Sequence, residues 1–153
     1  MQVEFRAAVL PDEIPALVRL DHRIFPKADW FPPSFWKEYE SYWLLVDGKR
    51  IGCSAFGLRF DDDEELLPKG SLYIASTGIL PSYQGRGFGR LMKAWQLAYA
   101  RDHGFDRMIT LTRGKNRRML QLNRDFGFEV VRKIARYYQG PSDTAVVMEL
   151  RFR

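Results

Sequence analysis

The spacing of apolar residues changes several times along the first part of the chain. Gln2 to Val9 alternates between apolar and polar residues, which predicts a strand. From Pro11 to Phe25 the apolar residues recur at helical intervals, which predicts a helix that Asp12 can cap. The next stretch, FPKADWFPPSF, is rich in proline and predicts an irregular loop, followed by a short helix over Ser34 to Glu40.

A β-hairpin is predicted next, because two apolar runs, Tyr42 to Val46 and Arg50 to Phe60, flank Asp47-Gly48-Lys49. Asp-Gly between two apolar runs is a strong hairpin signal. The polar segment that follows contains the acidic run Asp61 to Glu65, and we expect it to form a solvated connection.

The rest of the chain alternates between strand-like and helix-like patterns. The predicted elements are a strand over Ser71 to Leu80, a helix over Gly87 to His103, a strand over Arg107 to Thr112, a helix over Asn116 to Phe126, and strands over Gly127 to Ile134 and Thr144 to Phe152. The complete order, β-α-α-β-β-β-α-β-α-β-β, predicts an α/β (α+β) fold around one mixed sheet. No linker is long enough to divide it, so residues 1–153 are predicted to form a single domain.

Composition and charge narrow the functional classes. The chain has a formal net charge of +5, which favours anionic partners such as a phosphorylated cofactor, an acidic substrate or nucleic acid. No apolar run is long enough for a membrane span, and the amino-terminal MQVEFRAAVLPDE does not resemble a signal peptide. The single cysteine, Cys53, cannot form an internal disulfide, so we expect a cytoplasmic protein.

The stretch from Ile79 to Met92, ILPSYQGRGFGRLM, carries the clearest chemical signal. A strand that ends in glycines and leads into a helix exposes backbone N–H groups that have no partner inside the helix. The helix dipole adds a partial positive charge at the same end. The sequence therefore predicts an anion site suited to phosphate, although a glycine-rich helix start without a ligand stays an alternative.

Two common phosphate-binding motifs do not fit this stretch. A P-loop needs Gly-Lys-Ser/Thr, which does not occur in the chain. A dinucleotide-binding fold needs G-x-G-x-x-G, and counting from Gly85 puts Arg90 at the position of the third glycine.

A third class fits better. The hexapeptide Gln84-Gly85-Arg86-Gly87-Phe88-Gly89 resembles the Q/R-x-x-G-x-G/A signature of the GNAT acyltransferases. Downstream, Asn116 to Phe128 is similar to the second motif of that family, N-x-x-A-x-x-L-Y-x-x-x-G-F. The order of elements also agrees, and the resemblance implies a mostly antiparallel central sheet flanked by helices.

The resemblance implies acetyl-CoA, or another acyl-CoA, as co-substrate, and no metal. Gln84 to Arg90 would hold the pyrophosphate, and the backbone at Ile79 and Leu80 would pair with the pantetheine arm and could donate an N–H to the thioester carbonyl. Lys93, Arg117 and Arg124 are candidates for the 3′-phosphate or ordinary surface charges. The residues assigned to the co-substrate are Ile79, Leu80, Gln84, Gly85, Arg86, Gly87, Phe88, Gly89, Arg90, Asn116 and Asn123.

The chain departs from the family at two chemically important positions. Many members carry a tyrosine beside the CoA sulfur, where this chain has Asn123, an amide that can donate a hydrogen bond but is no useful acid. A partner base would fall at Leu111, which cannot act. In part of the family a tyrosine at the position of Tyr73 works through water as a base. The resemblance therefore implies Tyr73 and Asn123 as the catalytic residues, against the alternatives that Tyr73 fills the core and Asn123 faces solvent.

Within the family the chain looks most like the protein N-terminal (RimI-like) acetyltransferases. The stretches that carry this resemblance are Leu72 to Ile74, Ile24-Phe25-Pro26 and Tyr137-Tyr138. It implies an acceptor side formed by Phe25, Pro26, Tyr73, Tyr137 and Tyr138. The two C-terminal tyrosines could instead belong to the core and rim of the last hairpin.

The sequence thus favours an acetyl-CoA-dependent N-acetyltransferase acting on a peptide or protein N-terminus. A small-amine acetyltransferase and a non-catalytic acyl-CoA-binding regulator are the alternatives. Nucleic-acid binding is disfavoured, since no recognition motif accompanies the basic charge. No membrane partner is expected, and the predicted state is a monomer or a homodimer.

Overall fold

The structure, a computed structural model, describes residues 1–57 and 67–152. Short 3₁₀ turns cover Lys27–Asp29 and Pro81–Tyr83. The main elements, in chain order, are β1 (Val3–Ala7), α1 (Ile14–Ile24), α2 (Pro33–Glu38), β2 (Glu40–Val46), β3 (Lys49–Gly57), β4 (Ser71–Ile79), α3 (Phe88–Asp102), β5 (Arg107–Arg113), α4 (Arg117–Asp125), β6 (Glu129–Tyr138) and β7 (Asp143–Arg151).

This order confirms the predicted fold class. The strands form a seven-stranded sheet in the order β1-β2-β3-β4-β5-β7-β6. Strands β4 and β5 pair in parallel, whereas β1/β2, β2/β3, β5/β7 and β6/β7 pair antiparallel. The parallel pair needs a crossover connection, and α3 supplies it.

Some predicted boundaries were wrong, and others lie outside the described residues. The second helix ends at Glu38 rather than Glu40, because Glu40 already pairs with β3. Strand β6 continues to Tyr138, beyond the predicted end at Ile134. The predicted strand end at Leu58 to Phe60 and the acidic run Asp61 to Glu65 lie outside the described residues.

The chain divides into two compact units, described here separately. The first contains Met1–Gly57 and Ala75–Met92, and the described part of the second contains residues 67–74 and 93–152. The prediction of a single domain stays a prediction.

The first unit has a core of large apolar side chains under the β2–β3 hairpin. Leu17 from α1, Trp36 from α2 and Leu44 from β2 are completely buried, as is Met92 in α3. The Asp-Gly hairpin prediction is confirmed, because Asp47 and Gly48 have φ angles of 49° and 79° and join two paired strands.

Glu13 ties the start of α1 to this hairpin. Its carboxylate accepts hydrogen bonds from the Val9 N–H (2.7 Å) and from the Trp43 indole (3.3 Å). It also pairs with Arg50, whose guanidinium lies 4.3 Å from the Trp43 ring centroid. The predicted cap at Asp12 was wrong: Glu13 occupies the cap position and makes no side-chain cap hydrogen bond.

The second unit packs around β5 and β7. Leu67, Ile109 and Val147 form a buried cluster, and Tyr73, Leu111 and Ile134 pack against it. Leu111 on β5 and Ile134 on β6 reach the same cluster because both strands pair antiparallel with β7.

Candidate functional site

The turn between β4 and α3 has the backbone conformation that an anion site needs. Gly85 and Gly87 have φ angles of 74° and 89°, which ordinary L-residues rarely adopt. A β-carbon at either glycine would meet nothing within 4 Å, so conformation rather than crowding requires glycine there. The turn therefore presents bare main chain.

The start of α3 supplies the donors. The first helical hydrogen bond at this end runs from the Leu91 N–H to the Gly87 carbonyl (3.1 Å). Phe88 and Gly89 precede it, so their N–H groups have no acceptor within the helix. The positive end of the helix dipole lies at the same place.

Two aromatic rings hold the basic side chain of this turn. The Arg86 guanidinium carbon lies 5.0 Å from the Tyr83 ring centroid and 5.7 Å from that of Phe88. The two rings meet edge to face, with centroids 6.0 Å apart. Arg86 is exposed and adds positive charge beside the open glycines.

The side chain of Gln84 closes the turn, and its predicted contact with the pyrophosphate stays a prediction. Its side-chain Nε2 donates to the Ile79 carbonyl at 2.9 Å, so this amide points back to the end of β4. The Leu80 N–H donates to the Ile51 carbonyl (2.8 Å), and the Leu80 carbonyl accepts the Tyr83 N–H (2.9 Å). Leu80 could donate to a thioester carbonyl only by giving up its bond to Ile51.

Backbone contact is very close beside this strand end. A β-carbon at Gly52 would lie 2.5 Å from the Gly78 carbonyl oxygen. On the other side, a β-carbon at Gly78 would lie 3.0 Å from Ile24 Cδ1 and 3.2 Å from Phe25 Cε2. The first unit thus brings the acceptor candidate Phe25 directly against the residue before Ile79.

The loop after α1 is held by polar and aromatic contacts. The Trp30 indole donates to the Phe25 carbonyl (2.8 Å) and stacks on the His22 ring at 3.8 Å between centroids. Asp21 is completely buried, and its Oδ2 accepts the Phe31 N–H at 3.0 Å. Burial raises the pKa of Asp21, although the Phe31 hydrogen bond acts in the opposite direction.

The sequence analysis did not single out Asp21, although the sequence contains a signal for its burial. It follows Leu17 by four positions, which places a carboxylate on the apolar face of α1. Pro26, by contrast, is exposed, in line with its predicted place at the acceptor side.

In the second unit, the side chains of Asn116 and Lys93 make contacts within the fold. Asn116 Oδ1 accepts the Met119 N–H (3.2 Å) and so caps α4. Lys93 is only 1% exposed, and its Nζ lies 5.3 Å from the Phe128 ring centroid. Burial lowers the pKa of Lys93 to about 7. The interpretation of Lys93 as a surface cation was wrong, whereas Arg117 and Arg124 are exposed as expected.

The two tyrosines at the end of β6 lie together. Their ring centroids are 5.0 Å apart, and Tyr137 is 50% exposed. The Arg113 guanidinium lies 4.7 Å from the Tyr138 ring and donates to the Gln139 and Pro141 carbonyls, each at 2.8 Å. Arg113, which the sequence did not single out, therefore fixes the β6–β7 connection.

The sequence pattern of the acetyltransferase (GNAT) family matches residues 12–128. The chain belongs to the GNAT family. This confirms the family predicted from the glycine-rich hexapeptide and the second motif. The match spans β4, the glycine turn and α3, and it ends at Phe128, the last residue of the second motif.

Comparison with individual proteins places this GNAT chain among acetyltransferases of several kinds. It is 29% identical over 119 residues to the mycothiol acetyltransferase of Thermobifida fusca (strain YX). The aligned region covers 74% of this chain and 34% of that protein. The chain therefore spans about a third of the length of this curated relative.

Two solved structures share the fold. The ribosomal-protein-S18-alanine N-acetyltransferase of Escherichia coli has a TM-score of 0.82 at 16% identity, over 98% of this chain and 94% of that one. A putative acetyltransferase of Salmonella typhimurium, solved with its cofactor acetyl-CoA, has a TM-score of 0.74 at 19% identity, over 99% and 94%.

Asn123 stands at the position where the resemblance implies a tyrosine in many family members. Asn123 is completely buried, and its Nδ2 donates to the Met148 sulfur at 3.6 Å. Its Oδ1 has no hydrogen-bond partner in the described part of the chain. The solvent-facing alternative for Asn123 was wrong, and its role as a donor to the CoA sulfur stays a prediction.

Tyr73 and Leu111, the other two catalytic positions considered, pack against the same buried cluster. Tyr73 is half-buried, so it both contributes to packing and keeps part of its ring accessible. Cys53 is a buried core residue, as expected, and burial raises the pKa of its thiol to about 12, so it is no nucleophile.

The described residues contain neither a cluster suited to a metal ion nor a helix suited to crossing a membrane. Among residues 1–57 and 67–152, no group of three or more His, Cys, Asp and Glu side chains could hold a metal ion. No helix in those ranges has the length and apolarity that crossing a bilayer requires.

Proposed function

We propose that the protein is an acetyl-CoA-dependent N-acetyltransferase that acts on a primary amine. The single observation that carries this proposal is the turn from Gln84 into α3. It combines open main chain at Gly85 and Gly87, N–H groups at Phe88 and Gly89 that have no acceptor within the helix, and the positive charge of Arg86. This chemistry matches a diphosphate, and the fold is shared with a structure that holds acetyl-CoA.

The reaction is a direct transfer. The neutral amine nitrogen forms a bond to the thioester carbonyl carbon, the carbon–sulfur bond breaks, and CoA leaves as the thiolate while the amine loses one proton. No covalent enzyme intermediate is needed, which agrees with the inert surroundings of Cys53. Tyr73 is our candidate to pass that proton to solvent through water, since Leu111 cannot take part.

The acceptor we favour is the α-amine of a peptide or protein. An α-amine has a pKa of ~8 and a lysine side chain one of ~10.4. A site with a weak base, such as Tyr73, is therefore much better suited to an α-amine than to a lysine side chain, because the α-amine loses its proton more readily. The loop from Phe25 to Phe31, with exposed Pro26 and Trp30, offers apolar contacts for the residue that carries the amine.

A small amine is the second candidate acceptor. The observation that favours it is the 29% identity to a protein named as a mycothiol acetyltransferase. A regulator that binds acyl-CoA without catalysis is the alternative outside the enzymes. A cytoplasmic location and a monomeric or homodimeric state remain part of the proposal.

A thiol-release assay with mass spectrometry tests the proposal. The panel contains short peptides with a free α-amine and each amino-terminal residue in turn, the same peptides with a blocked amine, and small amines. We expect CoA release that requires the free α-amine and a product heavier by one acetyl group. Acetyl-CoA binding by calorimetry without release from any acceptor would support the regulator, and the absence of binding at millimolar acetyl-CoA would refute both.

A further inference from the structure

The buried carboxylate of Asp21 holds both ends of the loop that follows α1. Its main-chain carbonyl accepts the Phe25 N–H at 2.9 Å, which ends the helix. Its side-chain Oδ2 accepts the Phe31 N–H at 3.0 Å. One residue therefore fixes where the loop leaves the helix and where it returns.

The burial of this carboxylate needs an explanation. Asp21 is 0% exposed, and its Oδ1 has no hydrogen-bond partner within residues 1–57 and 67–152. Burying a carboxyl group with one oxygen unpaired costs stability, so an apolar residue would serve α1 better if packing were its only purpose. What Asp21 adds, and an apolar residue cannot, is an acceptor for the Phe31 N–H.

The Asp21 hydrogen bond acts together with the other contacts of the loop. Its only regular structure is the short turn Lys27–Asp29. The Trp30 indole closes it onto the Phe25 carbonyl, and Phe31 stacks on Phe35 at 3.8 Å between ring centroids. Both contacts depend on the direction of the main chain at Trp30 and Phe31, and the Asp21 hydrogen bond holds the Phe31 N–H in that direction.

The position of the loop matters because its first residue lies on the strand end described above. Phe25 Cε2 lies 3.2 Å from the place of a β-carbon on Gly78, the residue before Ile79. A loop that swings away at Phe31 would also release Trp30 from the Phe25 carbonyl. The Phe25 ring would then no longer have a fixed place beside β4.

We propose that Asp21 is a positioning residue for the acceptor. Its side chain holds the Phe25–Phe31 loop in place for the incoming amine, and Asp21 itself does not touch the amine. The inference rests on the proposed acetyltransferase function. It predicts a selective effect: loss of the Asp21 acceptor weakens use of the amine and leaves use of acetyl-CoA unchanged, since the glycine turn makes no contact with Asp21 among those described.

Asp21→Leu, Asp21→Asn and the control Leu20→Ala test this role. Leucine fills a similar volume but accepts no hydrogen bond, whereas asparagine keeps an acceptor oxygen. Leu20 is buried on the same helix, so its truncation reports general destabilisation. The acceptor is the peptide or amine that releases most CoA in the panel above, and a second readout is hydrogen exchange at the Phe31 amide.

We expect Asp21→Leu to raise the acceptor KM about tenfold, the value of one hydrogen bond to a charged group. The acetyl-CoA KM should stay at the wild-type level, and the Tm should stay the same or rise. The Phe31 amide should exchange its hydrogen faster than in the wild type. Asp21→Asn should restore most of the acceptor KM, and Leu20→Ala should lower the Tm without changing either KM. Should Asp21→Leu fail to fold, Asp21→Ala is measured in the same way.

An unchanged acceptor KM in Asp21→Leu, a parallel rise in the acetyl-CoA KM, or unchanged exchange at Phe31 would overturn the proposal. A wild-type protein that releases no CoA with any acceptor would refute the enzyme function instead. In that case the exchange measurement alone decides whether Asp21 holds the loop.

Discussion

The Gln84 side-chain amide donates to the Ile79 carbonyl at 2.9 Å, across the turn that joins β4 to α3. This bond uses the first residue of the glycine motif to close the turn onto the end of the strand. The backbone at Ile79 is thereby held in one place, and under the proposed function the rest of the motif is left for the diphosphate.

Replacing Gln84 by glutamate should disrupt this closure. A carboxylate cannot donate to the Ile79 carbonyl, and its charge would repel a diphosphate nearby. We expect CoA affinity to fall by at least about tenfold for Gln84→Glu, measured by titration calorimetry. Gln84→Arg is the matched control, because arginine keeps a donor, and it should bind CoA much better than the glutamate variant. Equal affinities for the two variants would contradict the role of the donor.

A valine at Gly87 separates backbone strain from cofactor binding. The φ of 89° is unfavourable for a β-branched residue and should cost about 1–2 kcal/mol of stability. Displacing the main chain should also abolish CoA binding. Gly104, with a φ of 77° and equally open surroundings, is the matched control at the other end of α3. Gly104→Val should lose similar stability in urea unfolding and bind CoA normally, and CoA binding by Gly87→Val would argue against the phosphate site.

Substitution of Asn123 by leucine tests whether its amide acts on the leaving thiolate. Nδ2 already donates to Met148, and Oδ1 is buried without a partner in the described residues. We therefore expect Asn123→Leu to keep or raise the Tm and to lower kcat by no more than about threefold. A tenfold or larger fall in kcat at unchanged Tm would instead assign the amide to the CoA sulfur.

The buried Lys93 should make stability depend on pH. Burial lowers the pKa of Lys93 from its ordinary 10.5 to about 7. Between these values the unfolded chain binds up to one more proton than the folded chain, so the free energy of unfolding should rise with pH, by at most about 1.4 kcal/mol per pH unit. Below pH 7 both states are protonated, and the full cost of burying the cation applies.

Urea unfolding of Lys93→Met across this pH range checks that expectation. The variant should be more stable than the wild type near neutral pH, and the difference should shrink as the pH increases. Lys133→Met, at an exposed position on β6, should keep the wild-type slope. A wild-type slope in Lys93→Met would show that another group titrates.

The order of elements was predictable because it depends on local patterns. The period of the apolar residues marks each helix and strand, and Asp47-Gly48 specifies its own turn through the φ angles it accepts. The glycine turn was predictable for the same reason, since Gly85 and Gly87 allow a backbone that other residues resist.

The surroundings of single polar side chains were not predictable in this way. Lys93 and Asn123 occupy polar positions in helical patterns, and only packing within the second unit shows that both are buried. The Gln84–Ile79 bond depends on the path of the turn between them. Asp21 gave a partial signal through its spacing from Leu17, but its partner, the Phe31 N–H, lies ten residues on in an irregular loop.

The bare main chain at Gly52 and Gly78 limits how this region can be redesigned. Neither position has room for even a methyl group without a shift of the backbone or of its neighbours. Substitutions at Gly52 and Gly78 are therefore not a practical way to change the acceptor preference. Under the proposed function, changes to the acceptor side would have to be made at neighbouring side chains such as Ile24 and Phe25, which supply the three nearest contacts to a β-carbon at Gly78.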